Sequence, residues 1–117
     1  MTAPAPGAGR GSLVWVDLSP TTGCEQRGRR PAIVVASDGY LASVRGLTIV
    51  LPITSVDRSW PHHVRIRGRP TGLSRPSFAM TEQPRTISLD RVTGSAGRAD
   101  ATTLAEVDQW MRDFLAL

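Results

Sequence analysis

A continuous run of branched apolar residues at positions 32–36, Ala-Ile-Val-Val-Ala, most constrains how this chain folds. Such side chains favour extended backbone, and an apolar run without polar alternation is typical of a strand buried on both faces. Pro31 precedes the run and can occupy a strand's first position without removing a needed hydrogen-bond donor. The run therefore predicts a buried strand.

The segment at positions 12–18 is predicted to form another strand. Its residues alternate, so that Val14 and Val16 lie on one face and Leu13, Trp15 and Asp17 lie on the other. Further strands are predicted at 47–55, 62–67, 77–81, 85–89 and 91–97, and segment 37–46 is expected to include a helical turn. A proline at position 52 indicates a bulge or an edge in the strand at 47–55.

The end of the chain changes to helical periodicity. Apolar residues recur as Leu104, Val107, Met111, Phe114 and Leu115, with Trp110 at the margin of this face. Asp100, or a threonine close after it, can cap the helix. The predicted fold is β-rich (α+β): a small barrel or twisted sheet with one C-terminal α-helix that covers an open end or face of it.

Length and composition narrow the function. The 117 residues suffice for one domain, which we place at 10–117 after a disordered tail at 1–9. The net charge of +4 favours binding to polyanions, nucleic acid first; the alternative is a solvated basic surface without a ligand. The single cysteine, Cys24, excludes an internal disulfide and fits a reducing cytoplasm, and no apolar run approaches the length of a membrane span.

The polar loop at 23–31, between the first two strands, is the first candidate site. Arg27, Arg29 and Arg30 can simply solvate an exposed turn. Arg30, however, immediately precedes Pro31, which holds its backbone extended at the entry of a buried strand. A side chain anchored in this way is suited to stabilise charge on a phosphorane.

Two further polar clusters end or join strands. Thr54 and Ser55 close the third strand, where hydroxyls are either turn residues or donors to a phosphate or a 2′-hydroxyl. Gln83 and Arg85 are two positions apart and are expected to share a face, from which they can bind RNA or form cross-strand polar pairs.

His62 and His63 are adjacent, so strand alternation predicts that they point to opposite faces and cannot chelate together. With no cysteine or acidic partner at ligand spacing, no metal site is expected. Packing or a groove edge is the favoured role for both histidines, and a general-base role is the alternative. Trp60, in a polar loop, is the tryptophan expected to be exposed, and Trp110 is expected in the core.

The order of these motifs resembles the MazF/PemK (Kid) toxin family of type II toxin-antitoxin systems. The matching segments are 11–20, 23–26, 30–35, 52–55, 72–73, Ser77 and 82–87, followed by the terminal helix. The resemblance implies an SH3-like small β-barrel, a homodimer, and a metal- and cofactor-independent endoribonuclease of the cytoplasm that cuts single-stranded RNA at short sequences. Messenger RNA is the first expected substrate, with ribosomal or transfer RNA as alternatives.

The resemblance also implies roles for particular residues. The catalytic arginine falls on Arg30, the strand-end threonine on Thr54 and the loop acid on Glu25. Glu25 is also expected to bind RNA. The other expected RNA-binding residues are Gln26, Arg27, Arg29, Ser55, Ser77, Gln83 and Arg85. Cys24 stands where the family usually has serine, and Arg27 and Arg29 stand where small or uncharged residues are frequent.

Metal-free cleavage would use the substrate's 2′-hydroxyl as the nucleophile and would need a proton acceptor, a proton donor and positive charge at phosphorus. Arg30 can supply the charge, and Glu25 or His63 is the candidate acid or base. A cognate antitoxin with an acidic, disordered segment is the expected protein partner, and DNA is expected to be bound only through the antitoxin complex. The alternatives are a toxin of the same fold that poisons DNA gyrase without cutting RNA, and a barrel that binds RNA without catalysis.

Overall fold

The computed structural model describes residues 9–17, 29–68 and 72–117, so nearly all of the predicted N-terminal tail lies outside the described residues. The strands are β1 (Ser12–Asp17), β2 (Arg29–Val34), β3 (Leu47–Thr54), β4 (His63–Arg65), β5 (Phe78–Met80), β6 (Arg85–Ser88) and β7 (Val92–Arg98). Helix α1 spans Asp38–Ser43 and helix α2 spans Ala101–Leu115, and a 3₁₀ turn at Leu89–Arg91 precedes β7. The predicted strands and the terminal helix are thereby confirmed.

All strand pairs are antiparallel, in the order β4-β5-β3-β2-β1-β7, with β6 also paired to β3. The segment after β4 brings the two ends of this order together. The Gly72 amide donates to the Ala96 carbonyl at 2.9 Å, and the Asp100 amide donates to the Arg67 carbonyl at 2.8 Å. The curled sheet is therefore closed into a small barrel through this segment.

Strand β2 is buried on both faces, as its apolar run predicts. Ile33 belongs to one buried cluster with Leu13, whereas Ala32 and Val34 belong to a second cluster with Val14. The alternation predicted for β1 is confirmed by the same division. Helix α2 packs against the first cluster, and residues of α1 pack against the second.

Strand β3 changes neighbours along its length. Residues Leu47–Val50 pair with β6, whereas Ile53 and Thr54 pair with β5. Pro52 lies between these two stretches and is paired to Ala32 of β2. The residue without an N–H therefore lies where β3 exchanges one neighbour for another, which accounts for its tolerance inside a long strand.

Helix α2 begins at the predicted cap. The Asp100 carboxylate accepts a hydrogen bond from the Thr103 amide at 2.8 Å, and this bond is the main cause that lowers the pKa of Asp100 below its usual 3.8. Val107 is fully buried in the first cluster. The predicted burial is wrong for the last turn, where Phe114 and Leu115 are 48% and 55% exposed.

The predicted fourth strand is shorter than expected. Strand β4 begins at His63, so His62 lies in the preceding turn rather than in the strand. Within the described parts of the chain, no helix combines the length and apolar character that crossing a membrane requires.

Candidate functional site

A groove of about 630 Å³ opens beside the ends of β2 and β3. Its volume lies in the range of clefts that hold small ligands. The lining residues are Trp15, Arg30, Pro31, Pro52, Ile53, Thr54, Ser55, Val56, Arg58, Gly72, Leu73, Ser74, Arg75, Ser77, Met80 and Gln83. Of the predicted site residues, the groove thus brings together Arg30, Thr54, Ser55, Ser77 and Gln83.

The groove is cationic. Three of its lining residues are arginines, Arg30, Arg58 and Arg75, and none of the described lining residues is acidic. Concave surfaces lined by one sign of charge focus the field and attract ligands of the opposite sign. The groove is therefore built to receive an anion, and guanidinium groups match phosphate oxygens well.

The groove brings together Arg30 at the start of β2 and Thr54 at the end of β3, since both residues line it. The β2–β3 pairing ends at Ala32 and Pro52, two residues from each of them. Thr54 is paired with Phe78 of β5. Arg30 itself is exposed and is paired to Val16 of β1, so its backbone is held by the sheet while its head is free to reach a ligand.

The hydroxyl groups of the groove are partly engaged in local structure. Thr54 Oγ1 accepts a hydrogen bond from the Val56 amide at 3.1 Å, the turn role that sequence reasoning weighed as the alternative. Its own O–H is not used in that bond and can donate to a ligand. Ser77 is buried, and its hydroxyl donates to the Arg75 carbonyl at 2.9 Å, so that Ser77 fixes the wall that carries Arg75.

Neighbouring arginines take different positions. Arg29, directly before Arg30, is exposed and is not among the lining residues, and its guanidinium lies 5.2 Å from the centre of the Trp15 ring. That distance allows a cation–π interaction. Arg58 lies 5.6 Å from the centre of the Trp60 ring, which is 47% exposed as expected.

The expected pairing of Gln83 and Arg85 on one face does not describe the site. Gln83 lies in the turn before β6, lines the groove and has its side-chain nitrogen 3.3 Å from Glu82 Oε2. Arg85 opens β6 opposite Val50, is exposed and is not among the groove's lining residues. Strand alternation does not extend to Gln83, because that residue precedes the strand.

The prediction that His62 and His63 point to opposite faces is wrong. His62 Nε2 lies 3.5 Å from Glu82 Oε1 and His63 Nε2 lies 3.1 Å from Glu82 Oε2. The reason is that His62 lies in a turn, where alternation does not apply, and that the β4–β5 pairing brings the following turn, with Glu82, to both rings. Neither histidine lines the groove, and the acidic partner that the sequence did not reveal is present.

The Glu82 carboxyl responds to this contact. Burial raises the pKa of Glu82, but the hydrogen bond with the His63 side chain, helped by the Glu82 backbone N–H and by Gln83, outweighs it. The pKa of Glu82 consequently lies below its usual 4.5. Glu82 is therefore a carboxylate at neutral pH.

Comparison with known proteins decides the family. A family model described as the PemK-like, MazF-like toxin of type II toxin-antitoxin systems matches residues 9–115. The chain belongs to this family.

Relatives of this MazF-like toxin extend over its whole domain. Endoribonuclease MazF9 of Mycobacterium tuberculosis is 35% identical over 113 aligned residues, and the match covers 92% of this chain and 96% of the relative. Endoribonuclease EndoA of Bacillus subtilis is 33% identical over 109 residues, covering 92% and 94%. A crystal structure of MazE-MazF from Deinococcus radiodurans matches with a TM-score of 0.79 at 30% identity and covers 95% of this chain and 97% of that one. The predicted fold class, a small β-barrel with a C-terminal helix, is thereby confirmed.

Sequence reasoning missed several groove residues of the MazF-like chain, among them Arg58, Ser74, Arg75 and Met80. Arg75 stands two positions before Ser77, so the motif serine could have pointed to it, whereas no local pattern distinguishes Arg58 from a solvated loop arginine. Cys24, Glu25, Gln26 and Arg27 lie outside the described residues, and their roles stay predictions.

Proposed function

We propose that this chain is the endoribonuclease toxin of a type II toxin-antitoxin pair and cuts single-stranded RNA in the cationic groove. One observation carries the proposal: Arg30 and Thr54 line the same groove, which has three arginines and no acidic residue among its described lining. The relatives named as endoribonucleases support the activity.

In the proposed reaction the 2′-oxygen of the RNA attacks the adjacent phosphorus. The 2′-hydroxyl gives its proton to a base, and the new P–O bond closes a 2′,3′-cyclic phosphate. The bond to the 5′-oxygen breaks, and that oxygen takes a proton from an acid and leaves as a 5′-hydroxyl. No water or metal ion enters this step. Arg30 stabilises the negative charge that accumulates on the non-bridging oxygens. Such electrostatic stabilisation of the transition state is usually the largest single contribution to catalysis.

Thr54 orients the reacting groups. Its oxygen is fixed by the Val56 amide, so that its O–H is aimed from a rigid strand end toward a phosphate oxygen or the 2′-hydroxyl. Arg58, Arg75, Ser55 and Gln83 bind the neighbouring nucleotides. Because His63 faces Glu82 and does not line the groove, Glu25 is the candidate proton acceptor that we retain.

The proposed partner is a cognate antitoxin whose acidic segment occupies the groove. A cationic groove of this kind is complementary to carboxylates as well as to phosphates. The MazE-MazF structure from D. radiodurans shows that a relative is found together with MazE. We propose a homodimer as the form that binds both RNA and antitoxin.

Cleavage in excess EDTA, followed by sequencing of fragment 5′ ends, tests the proposal. We expect discrete cuts with 5′-hydroxyl and cyclic phosphate ends. An oligonucleotide with one 2′-deoxy substitution at the mapped position should remain intact, whereas the same substitution one nucleotide away should not prevent cleavage. Growth arrest without any RNA fragment would reject the ribonuclease and favour a poison of DNA gyrase, and RNA binding without cleavage or growth arrest would favour a non-catalytic barrel.

A further inference from the structure

We propose that His62, His63 and Glu82 form a binding site for a divalent transition-metal ion of the zinc class, outside the lining of the RNA groove. His62 lies in the turn before β4, His63 is the first residue of β4 and Glu82 lies in the turn after β5, and the β4–β5 pairing holds these segments together. The site needs no RNA and no antitoxin, so it stands apart from the proposed ribonuclease activity.

The distances to the carboxylate match those of a tetrahedral metal centre. Bonds of about 2.0–2.1 Å place neighbouring ligand atoms of a tetrahedron about 3.3–3.4 Å apart. The two imidazole Nε2 atoms lie 3.5 Å and 3.1 Å from the Glu82 oxygens, on either side of that value. An ordinary hydrogen bond explains the His63 contact alone, but it does not require a second imidazole to approach the same carboxylate.

The mutual arrangement of the rings agrees as well. An imidazole bound through Nε2 has its ring centre about 3.2 Å from the metal, so that two such rings in a tetrahedral site are about 5.2 Å apart. The ring centres of His62 and His63 lie 5.0 Å apart, with an angle of 79° between the ring planes. All three ligand atoms lie within 4.8 Å of one another. An inward movement of at most about 1.5 Å between any two of these ligand atoms completes the tetrahedral spacing, and rotation of the half-buried His62 side chain can contribute to it.

The surrounding structure holds the ligands in place. The Thr81 hydroxyl donates to the His62 carbonyl at 2.6 Å, and His63 is paired with Met80. The His62 ring stacks on Trp60 with centres 5.5 Å apart and meets the edge of Phe114 at 5.7 Å. Ligands that are oriented before binding lose less entropy when the metal arrives. This role also gives a reason for the exposed position of Phe114.

The ligand chemistry selects the metal. Two neutral imidazoles and one carboxylate suit zinc and its neighbours in the first transition row, whereas magnesium and calcium prefer oxygen ligands. Glu82 supplies the carboxylate ligand beside the two imidazoles. His63 Nδ1 is buried without a hydrogen-bond partner among the described residues, and it stays unpaired with or without a metal, so this atom favours neither state.

Metal binding would reach the groove through Gln83. The Gln83 side-chain nitrogen lies 3.3 Å from Glu82 Oε2, and Gln83 lines the groove. A metal bound to the Glu82 oxygens would compete with this contact, while the 3.7 Å contact from the Gln83 side-chain nitrogen to Met80 Sδ would remain.

The test uses untagged full-length chain carrying Cys24→Ser, so that neither a histidine tag nor the thiol binds metal. Titration with Zn²⁺ is followed by calorimetry, and Co²⁺ is used as a spectroscopic probe. We expect one ion per chain, the visible absorption of tetrahedral Co²⁺, and a higher Tm with Zn²⁺. His62→Phe keeps an aromatic ring against Trp60 but removes the ligand, and Glu82→Gln removes the carboxylate.

Each variant is expected to weaken Zn²⁺ binding by more than about 10-fold, since even the loss of an outer ligand partner has that effect. Glu106→Gln is the matched control, because Glu106 forms an exposed ion pair with Arg67, is not one of the three ligands and should leave Zn²⁺ binding unchanged. The absence of stoichiometric binding in the Cys24→Ser chain would overturn the proposal. Equal binding by the parent, His62→Phe and Glu82→Gln chains would overturn it too, because the ion would then lie elsewhere.

Discussion

Replacing Arg30 with alanine should abolish cleavage while leaving the fold intact. Removing one preorganised charge-stabilising group from an active site typically lowers kcat by about 10²–10³-fold, or about 2.7–4 kcal/mol of transition-state stabilisation. Arg30 is exposed and its backbone hydrogen bonds do not depend on its side chain, so the free energy of unfolding should change by less than about 0.5 kcal/mol.

Single-turnover cleavage of a mapped oligonucleotide, at saturating enzyme and in EDTA, separates the chemical step from binding. Arg29→Ala is the matched control, because it removes the same group one residue away, outside the groove lining. We expect Arg29→Ala to retain the single-turnover rate. Urea denaturation of both variants verifies that neither has lost its fold.

The result that would refute this reasoning is a normal single-turnover rate in Arg30→Ala. If that variant only bound more weakly, with the salt dependence of log K shallower by about 0.7, Arg30 would be a simple phosphate contact. Arg58→Ala provides the comparison, since a groove arginine outside the strand register should show this binding effect and an unchanged rate.

Three further predictions follow from single contacts. Thr54→Val should lower the cleavage rate less than Arg30→Ala does but more than the near-neutral Cys24→Ser does. Thr54→Ser, which keeps the hydroxyl, should retain most of the cleavage rate. Equal rates in the two Thr54 variants would show that the hydroxyl has no part in the mechanism. Gly68→Ala should lower the free energy of unfolding by about 1–3 kcal/mol in urea denaturation, because the added Cβ would lie 2.5 Å from the Arg98 carbonyl oxygen. The control Gly39→Ala, whose added Cβ would make an ordinary van der Waals contact at 3.7 Å, should be neutral or slightly stabilising. Equal stabilities of the two variants would contradict the closure of the barrel at Gly68. Because folding lowers the pKa of Asp100, its carboxylate contributes stability above pH 3.8, and this contribution is lost as the pH falls through the folded-state pKa. Asp100→Asn keeps a capping oxygen but does not titrate, so its denaturation midpoint should fall less steeply in acid than that of the parent chain.

Residue alternation and capping residues predicted the parts of the fold that depend on residues close together in the sequence. The two-residue alternation of β1 sorts Leu13 and Val14 into different clusters, and the cap at Asp100 begins α2, because each signal lies within a few residues of its effect. The same reasoning failed at His62, because alternation applies only inside a strand and β4 begins one residue later. It also failed at Phe114, where helical spacing continues but the last turn is exposed.

The complete wall of the groove could not be predicted in this way. Arg58 and Arg75 lie in irregular segments whose positions depend on contacts with residues far along the chain. The segment that carries Arg75 is fixed where Gly72 donates to Ala96 and where Gly68 packs against the Arg98 carbonyl. These contacts form only once β7 lies beside β1, and no pattern around Arg75 itself encodes them.

The presence of Arg30 and Thr54 in one groove, by contrast, depends on the core. Ile33 and Leu51 are partners across β2 and β3, and both belong to the first buried cluster, whereas Val34 and Val50 are partners in the second. Shifting one strand by a single residue would turn its apolar side chains from one cluster toward the other, at a cost of several buried side chains. The same shift would move Thr54 away from Arg30. The apolar run that makes β2 a buried strand therefore also fixes the register on which the proposed chemistry depends, even though none of its residues takes part in the reaction.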